Sequence, residues 1–323
     1  MNEKTIATIA LPGGGFATFE ETLAEAARWL THAAAAGADL AVLPETINLL
    51  HRKDDRTPLG EFALEDWREA TAMLCETAAR SKIALVLPLL VRDGGVLANR
   101  FYVIGKDGDA IGSYQKRVPA VGERACGVEP GISGPIDWEG LRIGGAICID
   151  LYYPRAVFDP QIEAGADFFV IPSYTPGGTL LDSCALNCGV PMVLAYSPWS
   201  RIVDRDGTEL AAGGYRSETL RAGFGTPVLA ATINFDAVTL FADFNQDKMS
   251  AVARHYGRDV RIRFNQHNCI FTLESRSSDL SVREVMGQFG LISRHKYLTQ
   301  LEPGAGQSGA APKPSPQSDK ETA

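Results

Sequence analysis

Three side chains of different chemistry stand where apolar runs give way to polar residues. Glu45 closes "LAVLPE", Lys116 closes "AIGSYQK" and Cys148 closes "RIGGAIC". A thiol is a weak nucleophile until a base or a nearby cation turns it into a thiolate. Glu45 offers the base. The Lys116 ammonium offers a cation for a thiolate, or for an oxyanion forming on a carbonyl carbon. In sheets flanked by helices, ligands collect beyond the carboxyl ends of strands, so reactive residues at three strand ends form a candidate constellation. Each has an ordinary structural reading as well: a helix-starting acid, a solvated lysine, and a buried cysteine acting as a small hydrophobe. A cysteine–histidine pair is the competing arrangement, but the histidines at 32, 51, 255, 267 and 295 carry no local nucleophile signature.

The elements that must position these residues alternate between strands and helices. "KTIATIAL" reads as a buried strand. "FEETLAEAARWLTHAAAAG" places Leu23, Ala26, Ala27, Leu30, Ala33 and Ala34 on one helical stripe, with Thr18 and Glu21 as a capping box and Gly37 as a stop. "ADLAVLPE" and "KIALVLPLLV" are further strands, with an amphipathic helix predicted over 61–80 between them. "NRFYVIGKDGDAIGSYQK" reads as two strands joined at residues 106–109, and "GPIDWEGLRIGGAIC" as two joined at Glu139-Gly140. "DFFVIP", "PMVLAY", "SRIVDRDGTELA" and "VLAATINFD" supply more strands. The mixture predicts an α/β fold of two mixed sheets packed face to face, with helices on the outer faces. Residues 237–302 read as a charged and aromatic extension followed by a helical piece, "SVREVMGQF".

Composition narrows the function classes. The chain has 323 residues, 45% of them hydrophobic and 22% charged, with a net charge of −8. That balance argues against nucleic-acid partners, which need clustered Lys and Arg. No apolar run approaches membrane-span length, and no export signal is evident, so the six cysteines are expected to be reduced thiols in a cytoplasmic protein. Cys184 and Cys188, four apart on a predicted helix, lack a second Cys or His pair at zinc spacing, so no metal site is expected. The stretch 303–323, rich in Pro, Gly and Ser, is expected to be a disordered tail.

"LAVLPE", "NRFYVIGKDGDAIGSYQK" and "IGGAICIDLYYPR", in that order and spacing, resemble the three catalytic blocks of the nitrilase superfamily of carbon–nitrogen hydrolases. "GADFFVIPS" and "SRIVDRDGTELA" also match family patterns, so the resemblance covers roughly residues 4–236. It implies a four-layer α-β-β-α sandwich, assembled as a homodimer or higher homo-oligomer. Glu45 is then the general base, Lys116 the oxyanion-stabilising lysine and Cys148 the nucleophile, with no cofactor. A second glutamate follows the lysine in many members; Glu123 fills that place, with Glu129, directly before Pro130-Gly131, as the alternative. Gly144 and Gly145 would allow close sheet packing, the Ile149 amide would be a second oxyanion donor, and Asp150 would hold the loop. Tyr152, Tyr153, Ser173 and Tyr174 are the expected substrate contacts. The expected organisation is a hydrolase domain over 1–268, an extension over 269–302 at an oligomer interface, and the tail.

The Ile149-Asp150 pair after the cysteine resembles the amidase and carbamoylase branches more than true nitrilases, which favour tryptophan–glutamate there. A small amide or carbamoyl compound is therefore the expected substrate. Alternatives are a nitrile, acyl transfer from the same thioester, or a silent binding member of the fold. The chain departs from the family pattern at Arg155, where relatives usually carry glutamate, in the shortened segment 175–190 and in the C-terminal extension.

Overall fold

The computed structural model describes residues 2–12, 15–53, 57–214 and 227–301. Its contacts divide it into two compact units, one of Lys4–Ile233 and one formed by the described residues of Met1–Glu3 and Asn234–Ala323. The division falls at 233/234, whereas residues 268 and 269 lie between two paired strands of the second unit. The tail over 303–323 lies outside the described residues.

In the larger unit β1 (Glu3–Ile9) leads through α1 (Phe19–Ala35) to β2 (Leu40–Val42), and α2 (Trp67–Ala70) and α3 (Ala72–Ser81) lead on to β3 (Ala84–Asp93). Helical crossovers of this kind let neighbouring strands run parallel, and β1/β2 and β2/β3 do so. Two hairpins follow: β4 (Val96–Ile104) and β5 (Ala110–Gln115) pair antiparallel in turn. α4 (Val121–Ala125) then precedes the second sheet, which repeats the scheme. β6 (Ile136–Trp138) pairs antiparallel with β7 (Leu141–Gly145) through Glu139 and Gly140, whose φ values of 47° and 81° suit a two-residue hairpin turn. α5 (Pro154–Val157) and α6 (Asp159–Glu163) cross to parallel β8 (Phe168–Pro172), and α7 (Gly178–Cys188) to parallel β9 (Met192–Ala195). β10 (Ser200–Val203) and β11 (Glu209–Gly213) close the second sheet antiparallel, and β12 (Val228–Asn234) returns to the first, beside β1.

The apolar stripes cover these sheets from outside. Ala26, Leu30 and Ala33 of α1 and Leu74 and Ala78 of α3 pack on Ile9, Leu43, Leu85 and Leu87 of the first sheet's side. Val157, Phe158, Leu181 and Ala185 pack on Phe169, Ile171, Met192 and Leu194 of the second. The result is the expected four-layer α-β-β-α sandwich of two mixed six-stranded sheets. Between the sheets the glycines of β7 matter. A Cβ on Gly145 would stand 2.4 Å from Tyr114 Cγ of β5 and 2.8 Å from Phe101 Cζ of β4, so only a glycine allows this approach.

Local readings of the sequence differ from the structure in three places. The helix predicted over 61–80 breaks at Thr71, whose hydroxyl donates to the Trp67 carbonyl at 2.7 Å while its φ of −116° leaves the helical region. Such side-chain bonding to the preceding turn competes with regular helix. Cys148 does not close a strand. β7 ends at Gly145, and Cys148 opens a 3₁₀ turn, Cys148–Tyr152. The extension over 237–302 carries more regular structure than the pattern showed. β13 (Ala237–Phe241), β14 (Val260–Asn265) and β15 (Ile270–Ser275) form an antiparallel sheet in the order β13-β15-β14. α8 (Gln246–Tyr256), α9 (Val282–Phe289) and α10 (Arg294–Leu301) accompany it, and Met249, Val252 and Val285 pack with Leu240 and Leu273 in a core of their own. Among the described residues no helix is long and apolar enough to cross a membrane.

The close approach at Gly145 carries a direct test. Gly145→Ala is expected to cost about 1–3 kcal/mol, the usual penalty of overpacking, read as a drop of several degrees in Tm. Gly134→Ala, where an added Cβ meets nothing within 4 Å, should leave Tm nearly unchanged.

Candidate active site

Lys116 is the first residue past β5, and its backbone is held on both sides. Its N–H donates to the Asn99 carbonyl of β4 at 2.9 Å, and its carbonyl accepts the Gly131 N–H at 3.0 Å. The side chain turns inward, only 2% exposed, and sets Nζ 2.7 Å from Glu45 Oε1 and 2.8 Å from Glu123 Oε2. Burial alone would push the ammonium toward losing its proton, but Glu45 and Glu123 outweigh it and hold the proton more tightly than on a free lysine.

Glu45 lies three residues past β2, 1% exposed. Its Oε1 accepts from Lys116 Nζ and, at 2.8 Å, from Asn99 Nδ2. Its Oε2 is buried without a hydrogen-bond partner. Burial pushes this carboxyl above the ordinary range; Lys116 pulls it down and Glu123 pushes it up again. Glu123 sits on α4. Its Oε1 accepts from Asn99 Nδ2 at 2.7 Å, and its Oε2 accepts from the Ala120 N–H at 2.6 Å as well as from Lys116. Glu129 is elsewhere, exposed, with its N–H on the Leu97 carbonyl and its own carbonyl on Gln115 Nε2. Of the two candidate second glutamates, Glu123 is the one in contact with Lys116.

Cys148 reaches the same place from the second sheet. Its φ of 49° is left-handed, a conformation that costs a non-glycine residue roughly 1–2 kcal/mol. Asp150 holds the turn. Its Oδ2 accepts from the Ile147 N–H at 2.9 Å, the Tyr114 hydroxyl at 2.9 Å and the Arg117 N–H at 3.3 Å, and its Oδ1 accepts from the Val118 N–H at 2.8 Å. One carboxylate therefore ties the cysteine turn to the chain leaving Lys116. Burial pushes the Cys148 thiol up and the Glu45 charge pushes it further, while Lys116, the Tyr174 amide and Ser173 pull it back; the net direction is upward.

Glu45, Lys116, Glu123 and Cys148 line one cavity of about 580 Å³. Leu49, Leu50, Leu59 and Leu90 give it apolar wall, Arg52 and Lys53 add positive charge, and Thr46 and Tyr174 share a hydrogen bond of 2.7 Å across it. Ser173 lies against the thiol, and its hydroxyl donates to the Thr175 carbonyl at 2.8 Å. Tyr152 and Tyr153 are not among the lining residues and are 67% and 47% exposed; Ile149, whose backbone amide was the expected oxyanion donor, follows Cys148 in the 3₁₀ turn. Asn99 and Thr46 escaped notice in the sequence. The signal for Asn99 was a short amide in the middle of the apolar strand "VLANRFYVI".

The profile of the Carbon-nitrogen hydrolase family matches residues 5–242, about three quarters of the protein. The chain belongs to the carbon–nitrogen hydrolase family. A nitrilase of Pyrococcus abyssi (strain GE5 / Orsay) is 28% identical over 157 residues, which are 48% of this chain and 59% of that relative, so the alignment spans less than two thirds of it. Among solved structures, Nit3 of Saccharomyces cerevisiae, a member of branch 10 of the nitrilase superfamily, superposes with a TM-score of 0.59 at 21% identity, over 71% of this chain and 89% of that one. A carbon–nitrogen hydrolase of Helicobacter pylori G27 gives a TM-score of 0.59 at 19% identity, over 79% and 93%. An amidase of Nesterenkonia sp. gives 0.58 at 19%, over 78% and 96%. At such identities these likenesses speak for the shared fold.

Removing the central cation should expose the charge balance. In Lys116→Met two buried carboxylates face each other unneutralised, which by the general cost of breaking a buried pair destabilises by about 3–5 kcal/mol at pH 8. Without Lys116 the folded-state Glu45 carboxyl rises further above its unfolded value, so the native state binds more protons than the unfolded chain as pH falls. Thermal melts should therefore show the gap from wild type narrowing between pH 8 and pH 5.

Proposed function

We propose that this carbon–nitrogen hydrolase cleaves the amide or carbamoyl C–N bond of a small molecule through a thioester on Cys148, with Glu45, Lys116 and Cys148 as a catalytic triad. The observation that carries the reading is the buried Lys116–Glu45 pair at 2.7 Å, opening on the cavity that Cys148 also lines. Cys148 Sγ attacks the carbonyl carbon as Glu45 takes the thiol proton, and Lys116 stabilises the oxygen that becomes negative. Glu45 returns the proton to the leaving nitrogen, ammonia or an amine departs, and the acyl group stays on sulfur. Glu45 then takes a proton from water, which attacks the thioester; the C–S bond breaks, a carboxylic acid is released, and Glu45 returns the proton to the Cys148 sulfur. Glu123 keeps Lys116 in place. The chemistry needs no cofactor.

A thiol held above its usual range suits this order of events, because deprotonation then accompanies attack and does not precede it. Further support comes from an amidase of Nesterenkonia sp. AN1, a mutant of which carries the acetamide moiety of fluoroacetamide covalently on its active-site cysteine. In our reading the protein works in the cytoplasm on a small-molecule substrate, as a homodimer or higher homo-oligomer, with the extension over 269–302 at the interface.

A panel of small amides, carbamoyl compounds and nitriles, assayed for ammonia, tests the proposal. Turnover of an amide or carbamoyl compound is expected, with loss of at least about 1,000-fold in Cys148→Ala; unchanged turnover in that variant would sink the mechanism. Because burial raises the Glu45 carboxyl, kcat/KM should fall on acidification along a limb lying above the ordinary carboxylate range, and hydrolysis in Glu45→Gln should be lost at every pH.

A further inference from the structure

Asn99 lies in the middle of β4, between β3 and β5, and touches Lys116, Glu45 and Glu123. Its carbonyl fixes the Lys116 N–H at 2.9 Å, and its Nδ2 reaches Glu45 Oε1 at 2.8 Å and Glu123 Oε1 at 2.7 Å. The side chain is 1% exposed, and Oδ1 is buried without a hydrogen-bond partner. The orientation of the amide follows from its surroundings: turned over, Oδ1 would face two carboxylate oxygens, acceptor against acceptor. Leaving a buried carbonyl oxygen unbonded is costly, so the two carboxylates dictate where this amide points.

We infer that Asn99 is a positioning residue that, with Lys116, occupies both acceptor directions of Glu45 Oε1 and so leaves Oε2 as the oxygen that exchanges protons with Cys148 and substrate. The inference rests on the hydrolase reading above for the role of Glu45 as base. The donor geometry carries the rest. An sp² oxygen offers two in-plane lone pairs, and on Oε1 both are taken by the ammonium and the amide. Oε2 of the same carboxylate keeps both of its own. One NH₂ is shared between Glu45 and Glu123, so the two neighbouring carboxylates have a common donor. The groups that face Glu45 are Lys116 beyond β5, Glu123 on α4, Cys148 beyond β7 and Tyr174 beyond β8. Asn99 is the neutral member that apportions hydrogen bonds among them.

Two variants test this, each first checked by thermal melt for folding. Asn99→Leu removes both hydrogen bonds to charged acceptors. Asn99→Asp keeps size and shape but replaces the donor by a third carboxyl. The titration of the Glu45 carboxyl is followed by ¹³C NMR on protein labelled at glutamate, assigned with Glu45→Gln, beside the pH profile of amide hydrolysis. In Asn99→Leu the carboxyl midpoint and the acid limb are expected to rise together by about one to two pH units, the worth of a hydrogen bond to a charged group. The loss should fall on kcat while KM changes little, and Asn99→Asp should lose more activity than Asn99→Leu despite its closer shape. An unmoved midpoint in Asn99→Leu, or near-wild-type activity in Asn99→Asp, would overturn the inference. The failure of the hydrolase reading looks different: hydrolysis indifferent to Cys148→Ala, with the carboxyl midpoint still reporting whether Asn99 governs Glu45.

Discussion

The ammonium of Lys116, caught between two carboxylates in a water-poor interior, is the interaction on which the site depends. Charges taken out of water need close partners to remain charged, and here one cation serves two anions. Burial is the largest cause that holds both the Cys148 thiol and the Glu45 carboxyl above their ordinary ranges, with the neighbouring charges adding to it or opposing it. Their titrations belong to the cluster as a whole and not to single residues.

Backbone geometry places these groups at some cost. Thr46, directly after Glu45, has φ 42°, and Cys148 has φ 49°, so two of the turns that frame the cavity contain left-handed residues other than glycine. Such conformations persist only where the surroundings over-determine them. Around Cys148 that role falls to Asp150, which accepts three backbone N–H groups and one phenol. Around Thr46 it falls to the hydroxyl bond with Tyr174 and to the 3₁₀ turn Ile47–Leu49 that follows. Asp150 and Tyr174 each bridge segments far apart in sequence, so the turns are braced by tertiary contacts and not by local propensity.

That distinction explains what the sequence showed and what it hid. Apolar runs and turn residues announced the strands of both sheets, because strand burial and hairpin chemistry are local. Glu45, Lys116 and Cys148 stood out because each breaks an apolar pattern with a reactive group. The choice between Glu123 and Glu129 was not legible, since it depends on which way a five-residue helix turns its side chains after a loop. Tyr152 and Tyr153 were expected at the cavity because they follow Cys148 closely, but both are exposed and outside its lining. Asn99 was invisible as a participant because its partners lie 54 and 24 residues away. In the second unit, "RDVRIRFNQHNCIFTLES" folds as two paired strands across a short 3₁₀ turn, which its charged residues concealed.

The cavity has walls of two origins. Glu45, Lys116 and Cys148 reach it from both sheets, whose layers meet closely at Gly145. Much of the remaining lining, Leu49, Leu50, Arg52, Lys53 and Leu59, comes from the single connection between β2 and α2. On the reading proposed above, chemistry and selectivity would thereby rest on different segments of the chain. Drift in one connecting segment can retune which molecules are accepted without disturbing the distances that make a bond break, a division of labour well suited to a scaffold that diversifies its substrates.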